Sequence, residues 1–225
     1  MEDARFAAEA VVWDVDGTLI DSEPLHERVF YATCRRHGVD LSDLDAGVFV
    51  GVHQYDVWEA VAHRFPPHVD RDAWLADLDA EYLADQGSLA AMPDALAVVQ
   101  ALDAAGIRQA CASNSGAAVV AANLATLGIL PYLAATVTLD DVANGKPAPD
   151  PYARACMLLG VSPERAVAVE DSITGLMAAR AAGLRTIGFA ANPHIAGKPE
   201  FRALADRLIQ RLDELPALVA TAPAA

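Results

Sequence analysis

Asp14 and Asp16 stand one residue apart at the end of the apolar run Ala10-Val11-Val12-Trp13, and Gly17 and Thr18 follow them. Alternate residues of an extended chain point the same way, so this spacing predicts that the two carboxylates share a direction. Like charges held that close oppose each other's ionisation, and a cation between or beside them relieves the repulsion. The backbone N–H groups of Gly17 and Thr18, with the Thr18 hydroxyl, can hold an anionic oxygen. A plain strand-end turn, where Asp and Gly are common, is the competing reading of this stretch alone. The rest of the chain weighs against it. Ser113-Asn114 follow a second apolar run, Lys146 sits in the loop Asn144-Gly145-Lys146-Pro147-Ala148-Pro149-Asp150, and Glu170-Asp171 follow a third run. Lysine occurs only at 146 and 198, so its presence among these groups asks for a reason. Carboxylate oxygens suit a hard cation, and Mg²⁺ prefers a few carboxylates together with water and phosphate. A lysine, a hydroxyl and an amide beside such an ion describe a phosphate-binding site.

For those groups to meet, the runs that carry them must be strands of one parallel sheet, since ligands in open α/β sheets bind at the carboxyl ends of the strands. The pattern supports this. The first run is apolar on both faces, as a buried parallel strand requires. From Pro93 onward helix and strand alternate: a helix over 95–105, a strand over 107–112, a helix over 119–127 stopped by Gly128, and a short strand near 136–138. A helix through Leu159 follows, then a strand over 166–169, a helix capped by Ser172 and ended by Gly183, and a strand over 185–189. The remainder reads as helical with a frayed Ala/Pro tail. This alternation predicts an α/β, doubly wound parallel sheet.

Between Asp21 and Ala90 the pattern is helical throughout. Ser22 caps a first helix with Glu23 and Pro24 in its opening turn. A second follows Gly51 with Val57, Val61 and Phe65 on one face, and a third runs from about Asp72 with the stripe Leu75, Leu78 and Tyr82. The expected organisation is a core of residues 1–20 and 90–225 with an all-helical cap of residues 21–89, placed after the first strand where a lid belongs.

Composition narrows the partners. The 225 residues carry a net charge of −15 and are 54% hydrophobic. That charge argues against nucleic acid or an anionic membrane as a partner, and leaves a small anionic substrate with local cations. No apolar run approaches the roughly 20 residues that cross a bilayer, and no signal peptide opens the chain, so the expected location is cytoplasmic. Cys34, Cys111 and Cys156 lie far apart without metal or redox spacing, which predicts reduced structural thiols.

Asp-x-Asp-Gly-Thr, Ser-Asn, Gly-Lys-Pro-x-Pro-Asp and Glu-Asp-Ser-x-x-Gly, in that order and at the ends of those elements, resemble the haloacid dehalogenase-like (HAD) hydrolases. The similarity covers essentially the whole chain. It is closest to the helical-cap branch that includes phosphoglycolate phosphatases and β-phosphoglucomutases. The resemblance implies a Rossmann-like core and a Mg²⁺-dependent phosphatase acting on a small phosphorylated metabolite. It implies Asp14 as a nucleophile that forms an aspartyl-phosphate and Asp16 as general acid, then base. Asp14, the Asp16 carbonyl and Asp171 would bind the metal, with Glu170 a weaker candidate because some members have glycine there. Ser113 and Lys146 would hold phosphoryl oxygens, with Asn114 beside them and Thr18 near the substrate. A helix cap for Ser113 and a solvated charge for Lys146 are the bland alternatives.

The same resemblance weighs other chemistries. Dehalogenases proper lack the second acid, which Asp16 supplies here. Phosphonate hydrolases need a cap lysine, and this cap has none. His26, twelve residues after Asp14, matches a hinge histidine of the sugar-phosphate mutases, yet Gln54 stands where those enzymes place an arginine. Hydrolysis therefore leads over a mutase, and over a catalytically silent binding protein, which has no reason to gather four carboxylates. In the cap, Gly51, His53, Gln54 and Tyr55 are candidate specificity contacts, Trp58 and Trp74 are expected to pack, and Arg64 and Arg71 to be solvated. Asp150 and Ser172 are expected to support the motif loops.

Overall fold

After a short strand β1 (Phe6–Ala8), the opening run forms β2 (Ala10–Trp13), in which every side chain is buried. The computed structural model describes residues 6–45, 48–49 and 54–221. Beyond β3 (Ile20–Asp21) come three helices, α1 (Glu23–Arg36), α2 (Gln54–Val61) and α3 (Arg71–Ala84). The alternating part follows: β4 (Ala90–Ala91), α4 (Ala95–Ala104), β5 (Arg108–Ala112), α5 (Ala117–Leu127), β6 (Ala135–Val137) and α6 (Asp150–Leu159). It continues with β7 (Ala166–Glu170), α7 (Ile173–Ala181), β8 (Arg185–Phe189), β9 (Arg207–Ile209) and β10 (Val219–Thr221).

Six strands form one parallel sheet in the order β6-β5-β2-β7-β8-β9. The fold is therefore the α/β doubly wound sheet the alternation predicts. The chain builds outward from β2 through β5 and β6, then crosses to β7 on the other side, so β2 lies at the switch point where such sheets bind ligands. Register fixes what meets there. Trp13 pairs with Cys111 of β5 and Val169 of β7, so Asp14 leaves β2 level with Ala112 and Glu170. The Asp14 N–H donates to the Val169 carbonyl (3.0 Å), and the Ser113 N–H to Val137 (2.9 Å), which carries the ladder to the start of the polar segments.

Small residues let the helices lie close on this sheet: Ala10, Ala110, Ala112, Ala155, Ala168 and Ala178 share one core cluster with Val12 and Tyr152. On the α4 side the core contains a polar brace. Trp13 Nε1 donates to Gln109 Oε1 (3.0 Å), and Gln109 Nε2 donates to the Val99 carbonyl (2.9 Å), with all three residues buried.

Contacts divide the chain into residues 1–21 with 90–225, and residues 22–89. The second unit is helical among its described residues and is packed around aromatics. Trp58 and Trp74 are buried, with ring centroids 5.3 Å apart, and Phe65 lies 4.9 Å from Trp58. The buried stripe of α3 is Trp74, Leu78 and Tyr82, so Trp74 takes the place expected of Leu75. Arg64 is in an exposed ion pair, bidentate on Asp43 at 2.6 and 2.9 Å. Ser22 occupies the N-cap of α1 but makes no side-chain capping bond there.

β1, β3, β4, β9 and β10, of two or three residues each, escaped the sequence pattern, whereas the equally short β6 was expected from its place between two helices. β3 and β4 pair antiparallel, β1 pairs with β10, and β9 extends the main sheet where a helical remainder was expected. Among the described residues no helix is long and apolar enough to cross a membrane.

Replacing Gln109 by Leu keeps the bulk and removes the brace, leaving the Trp13 indole N–H without its partner. A buried donor so orphaned costs about 1–3 kcal/mol, and urea denaturation of Gln109→Leu should show a loss in that range with the fold retained.

Candidate active site

The buried ammonium of Lys146 stands between two carboxylates that β2 and β7 deliver at the same level. Its Nζ donates to Asp14 Oδ1 (2.6 Å) and to Glu170 Oε1 (2.5 Å). Glu170 is fully buried, and Asp14 nearly so. The Lys146 Nζ also lies 5.1 Å from the centre of the Tyr152 ring, whose hydroxyl donates to Glu170 Oε1 (2.8 Å). The other Glu170 oxygen accepts from the Ser172 N–H (3.2 Å) and hydroxyl (2.8 Å). Ser172 in turn caps α7 by accepting from the Gly175 N–H (3.0 Å). A Cβ on Gly175 would lie 1.8 Å from Glu170 Oε1, so only glycine lets the first turn of α7 close over that carboxylate.

The Lys146 loop is itself held. Lys146 N donates to Asn114 Oδ1 (2.7 Å), and Asn114 Nδ2 donates to the Lys146 carbonyl (3.0 Å). Asn144 donates to Asp150 Oδ2 from its N–H and its side-chain amide, at 3.2 and 3.1 Å. Asp150 and Ser172 thus support the motif loops. Asn114, expected beside the substrate, has both polar atoms engaged on the Lys146 backbone.

Asp14 and Asp16 do not share surroundings. The strand ends at Trp13, and the chain turns through Gly17 (φ 77°), so the period-two expectation no longer applies. Asp16 Oδ2 accepts from the Ser115 hydroxyl (2.9 Å) and the Ser113 hydroxyl (3.3 Å), and Oδ1 from Asn123 Nδ2 (2.9 Å). Asn123 lies on α5 and is fully buried. Ser113 therefore addresses Asp16. Ser115 and Asn123 escaped the sequence reading; a buried-face Asn amid the alanines and valines of α5 was the available signal. Thr18 is buried and donates to Asp171 Oδ1 (3.4 Å). Gly17 permits that approach, since a Cβ there would stand 2.2 Å from Asp171 Oδ2.

Asp14, Glu170 and Asp171 each offer an oxygen, all within 4.8 Å of one another, and could hold a metal ion. The Asp16 side chain is outside that group, which leaves its backbone carbonyl as its candidate ligand atom. Electrostatics favour a cation here. Burial, then the charge of Glu170, push the Asp14 carboxyl up to about 7 despite the opposing pull of Lys146. Burial opposes the charge on Lys146, but Asp14 and Glu170 outweigh it and raise its pKa. One ammonium thus leaves negative charge uncompensated, and an all-oxygen donor set suits a hard divalent ion.

The remaining sequence candidates fall within residues 22–89. His26, on α1, stacks on Tyr82 of α3 with centroids 4.5 Å apart. Gly51 and His53 fall outside the described residues, as does the side chain of Gln54.

Comparison with known proteins fits the geometry. The family described as haloacid dehalogenase-like hydrolase matches residues 8–183. A phosphoglycolate phosphatase of Cupriavidus necator is 33% identical over 225 residues, covering 95% of this chain and 94% of its own. Hexitol phosphatase A of Escherichia coli is 32% identical over 178 residues, covering 78% and 80%. The crystal structure of CbbY from Rhodobacter sphaeroides in complex with phosphate superposes with a TM-score of 0.82 at 31% identity, covering 94% of this chain and 99% of the other.

A carboxyl that is protonated below about 7 must lose its proton to ligate a metal. The apparent affinity for Mg²⁺ should therefore fall as pH drops from 8 through about 7 to 6, with proton uptake by the buffer rising in parallel. Calorimetric titrations in buffers of different ionisation enthalpy measure both, and an affinity flat across that range would contradict the assignment.

Proposed function

The chain belongs to the haloacid dehalogenase-like hydrolases as a phosphoric monoester hydrolase, and we propose that it is a Mg²⁺-dependent phosphatase of small phosphorylated metabolites that works through an aspartyl-phosphate. One observation carries the reading: a buried carboxylate, Asp14, held by Lys146 among three acids at the switch point of the sheet. The named relatives act on phosphoglycolate and hexitol phosphates, which supports substrates of the sugar phosphate or phosphoglycolate type.

In this reading Asp14 Oδ2, the oxygen not bonded to Lys146, attacks phosphorus. Lys146 holds the other oxygen, fixes the direction of attack and offsets the charge brought by the phosphoryl group. Asp14, Asp171 and the Asp16 carbonyl would hold Mg²⁺, which would supply further charge neutralisation when bound. Glu170, already met by Lys146, Tyr152 and Ser172, orients the ammonium and adds to the negative set. Asp16 gives a proton to the departing alcohol and then takes one from the attacking water. Ser113 and Thr18 keep the two acidic loops in place while the phosphoryl group is transferred.

The test is phosphate release from a panel of phosphorylated metabolites, with Mg²⁺ and with chelator. Mg²⁺-dependent release is expected, and Asp14→Asn should lower kcat by at least about 10³-fold with an unchanged circular dichroism spectrum. Near-normal turnover by Asp14→Asn would sink the mechanism. No release from any ester would favour a silent binding protein, and isomerised product in place of phosphate would favour a mutase.

A further inference from the structure

Asp16 is gripped from a helix that none of the motifs includes. α5 is otherwise a run of Ala, Val, Leu and Thr, and Asn123 sits within it at zero exposure. A buried amide costs stability unless it finds a partner, and the partner here is a carboxylate 107 residues away in the chain, at 2.9 Å. The two oxygens of that carboxylate meet different chemistry. Oδ1 faces Asn123 Nδ2, an amide nitrogen that only donates. Oδ2 faces the hydroxyls of Ser115 and Ser113, which can turn to donate or accept. A proton on Oδ1 would point at an N–H, whereas a proton on Oδ2 can be received by a hydroxyl.

We propose that Asn123 is a positioning residue that pins Oδ1 of Asp16 and thereby makes Oδ2 the oxygen that transfers protons. The inference rests on the acid/base reading of Asp16 given above and names the atom and the residue that direct it. In the first step Asp14 bonds to phosphorus, the P–O bond to the alcohol breaks, and the proton on Asp16 Oδ2 passes to the departing oxygen. In the second, water attacks phosphorus, its proton goes to Asp16 Oδ2, the bond to Asp14 breaks, and inorganic phosphate leaves. Both carboxyl groups then stand as they began. The serine hydroxyls follow the proton by rotation, while the Asn123 contact stays the same in both steps.

Leaving-group dependence separates this role from a structural one. A merely loosened helix slows every ester alike, whereas a misdirected acid harms only esters whose alcohol needs a proton. The value of kcat/KM reads the transfer to Asp14 and not the later hydrolysis. It should be measured for Asn123→Leu and Asn123→Ala on phosphoglycolate or fructose 1-phosphate, whichever the unmodified enzyme uses better, and on dinitrophenyl phosphate, whose phenolate departs unaided. With general acid catalysis supplying 10²–10⁴-fold, the alkyl ester should lose roughly 10–100-fold and the dinitrophenyl ester less than about threefold. Asn123→Ala covers the case in which the leucine does not fit, and melting temperatures report the fold of each. Equal losses on both esters, or none on either, would overturn the role of Asn123. Asp16→Asn measured on the same pair tests the reading beneath it. Selectivity in Asp16→Asn without selectivity in the Asn123 variants removes Asn123 alone, and an unselective Asp16→Asn removes the acid role itself.

Discussion

Lys146 carries its ammonium into a buried site between Asp14 and Glu170, and much of the surrounding structure answers to what that requires. Taking an ion out of water costs several kcal/mol, recovered only with good geometry and further hydrogen bonds. The geometry is set twice over. Asn114 fixes the Lys146 backbone from both sides, and Asp150 gathers the loop that bears it. Glu170 is fixed by Tyr152 and Ser172, and α7 can close on it because Gly175 has no side chain. The parallel register then places Asp14 and Glu170 at one level without further adjustment.

That arrangement is deliberately short of positive charge. Two buried acids with a third nearby face one lysine, and burial, then the charge of Glu170, raise the Asp14 carboxyl to about 7 despite that lysine. A site balanced by a second lysine would be more stable by itself and would have no use for a metal or an incoming cation. The imbalance would give a divalent ion something to bind, and a bound ion would in turn keep Asp14 ionised. Asp16 lives under different terms, with Ser113, Ser115 and Asn123 among the donors on its two oxygens and its side chain outside the acidic cluster. The division we propose, between a group that attacks and a group that moves protons, follows this division of neighbours.

Much of this was legible in the sequence, for reasons that can be named. The sheet could be read because strands buried on both faces are written as uninterrupted apolar runs, and because glycines close the helices between them. The acids and the serine could be read because they follow those runs directly, and the lysine because the chain has only two. What could not be read were partners. Asn114 was expected beside the substrate, and the spacing gave no sign that its side chain also holds the Lys146 backbone. Asn123 looked like an ordinary helix residue and touches Asp16. Each depends on which side chains a helix lays against a strand end, and spacing along the chain does not contain that information. β3, β9 and β10 were missed because two or three residues cannot display a period and, unlike β6, none stands between two long helices of the alternating pattern.

The spacing of Asp14 and Asp16 shows where such reading stops. In a strand, two residues apart means one shared side, and the pair would have been two equivalent charges facing one cation. The chain abandons the strand at Trp13, and Leu19 and Ile20 fold their N–H groups back onto the Val15 carbonyl. Gly17 takes the left-handed conformation this turn needs, which side chains resist. The same missing Cβ admits Asp171 to the turn. That glycine therefore brings Asp171 to a turn that already has Asp14 in an acidic cluster on one side and Asp16 as a hydrogen-bonded acid on the other. The Asp-x-Asp-Gly order is best understood through that turn, with the glycine deciding what the two aspartates can do.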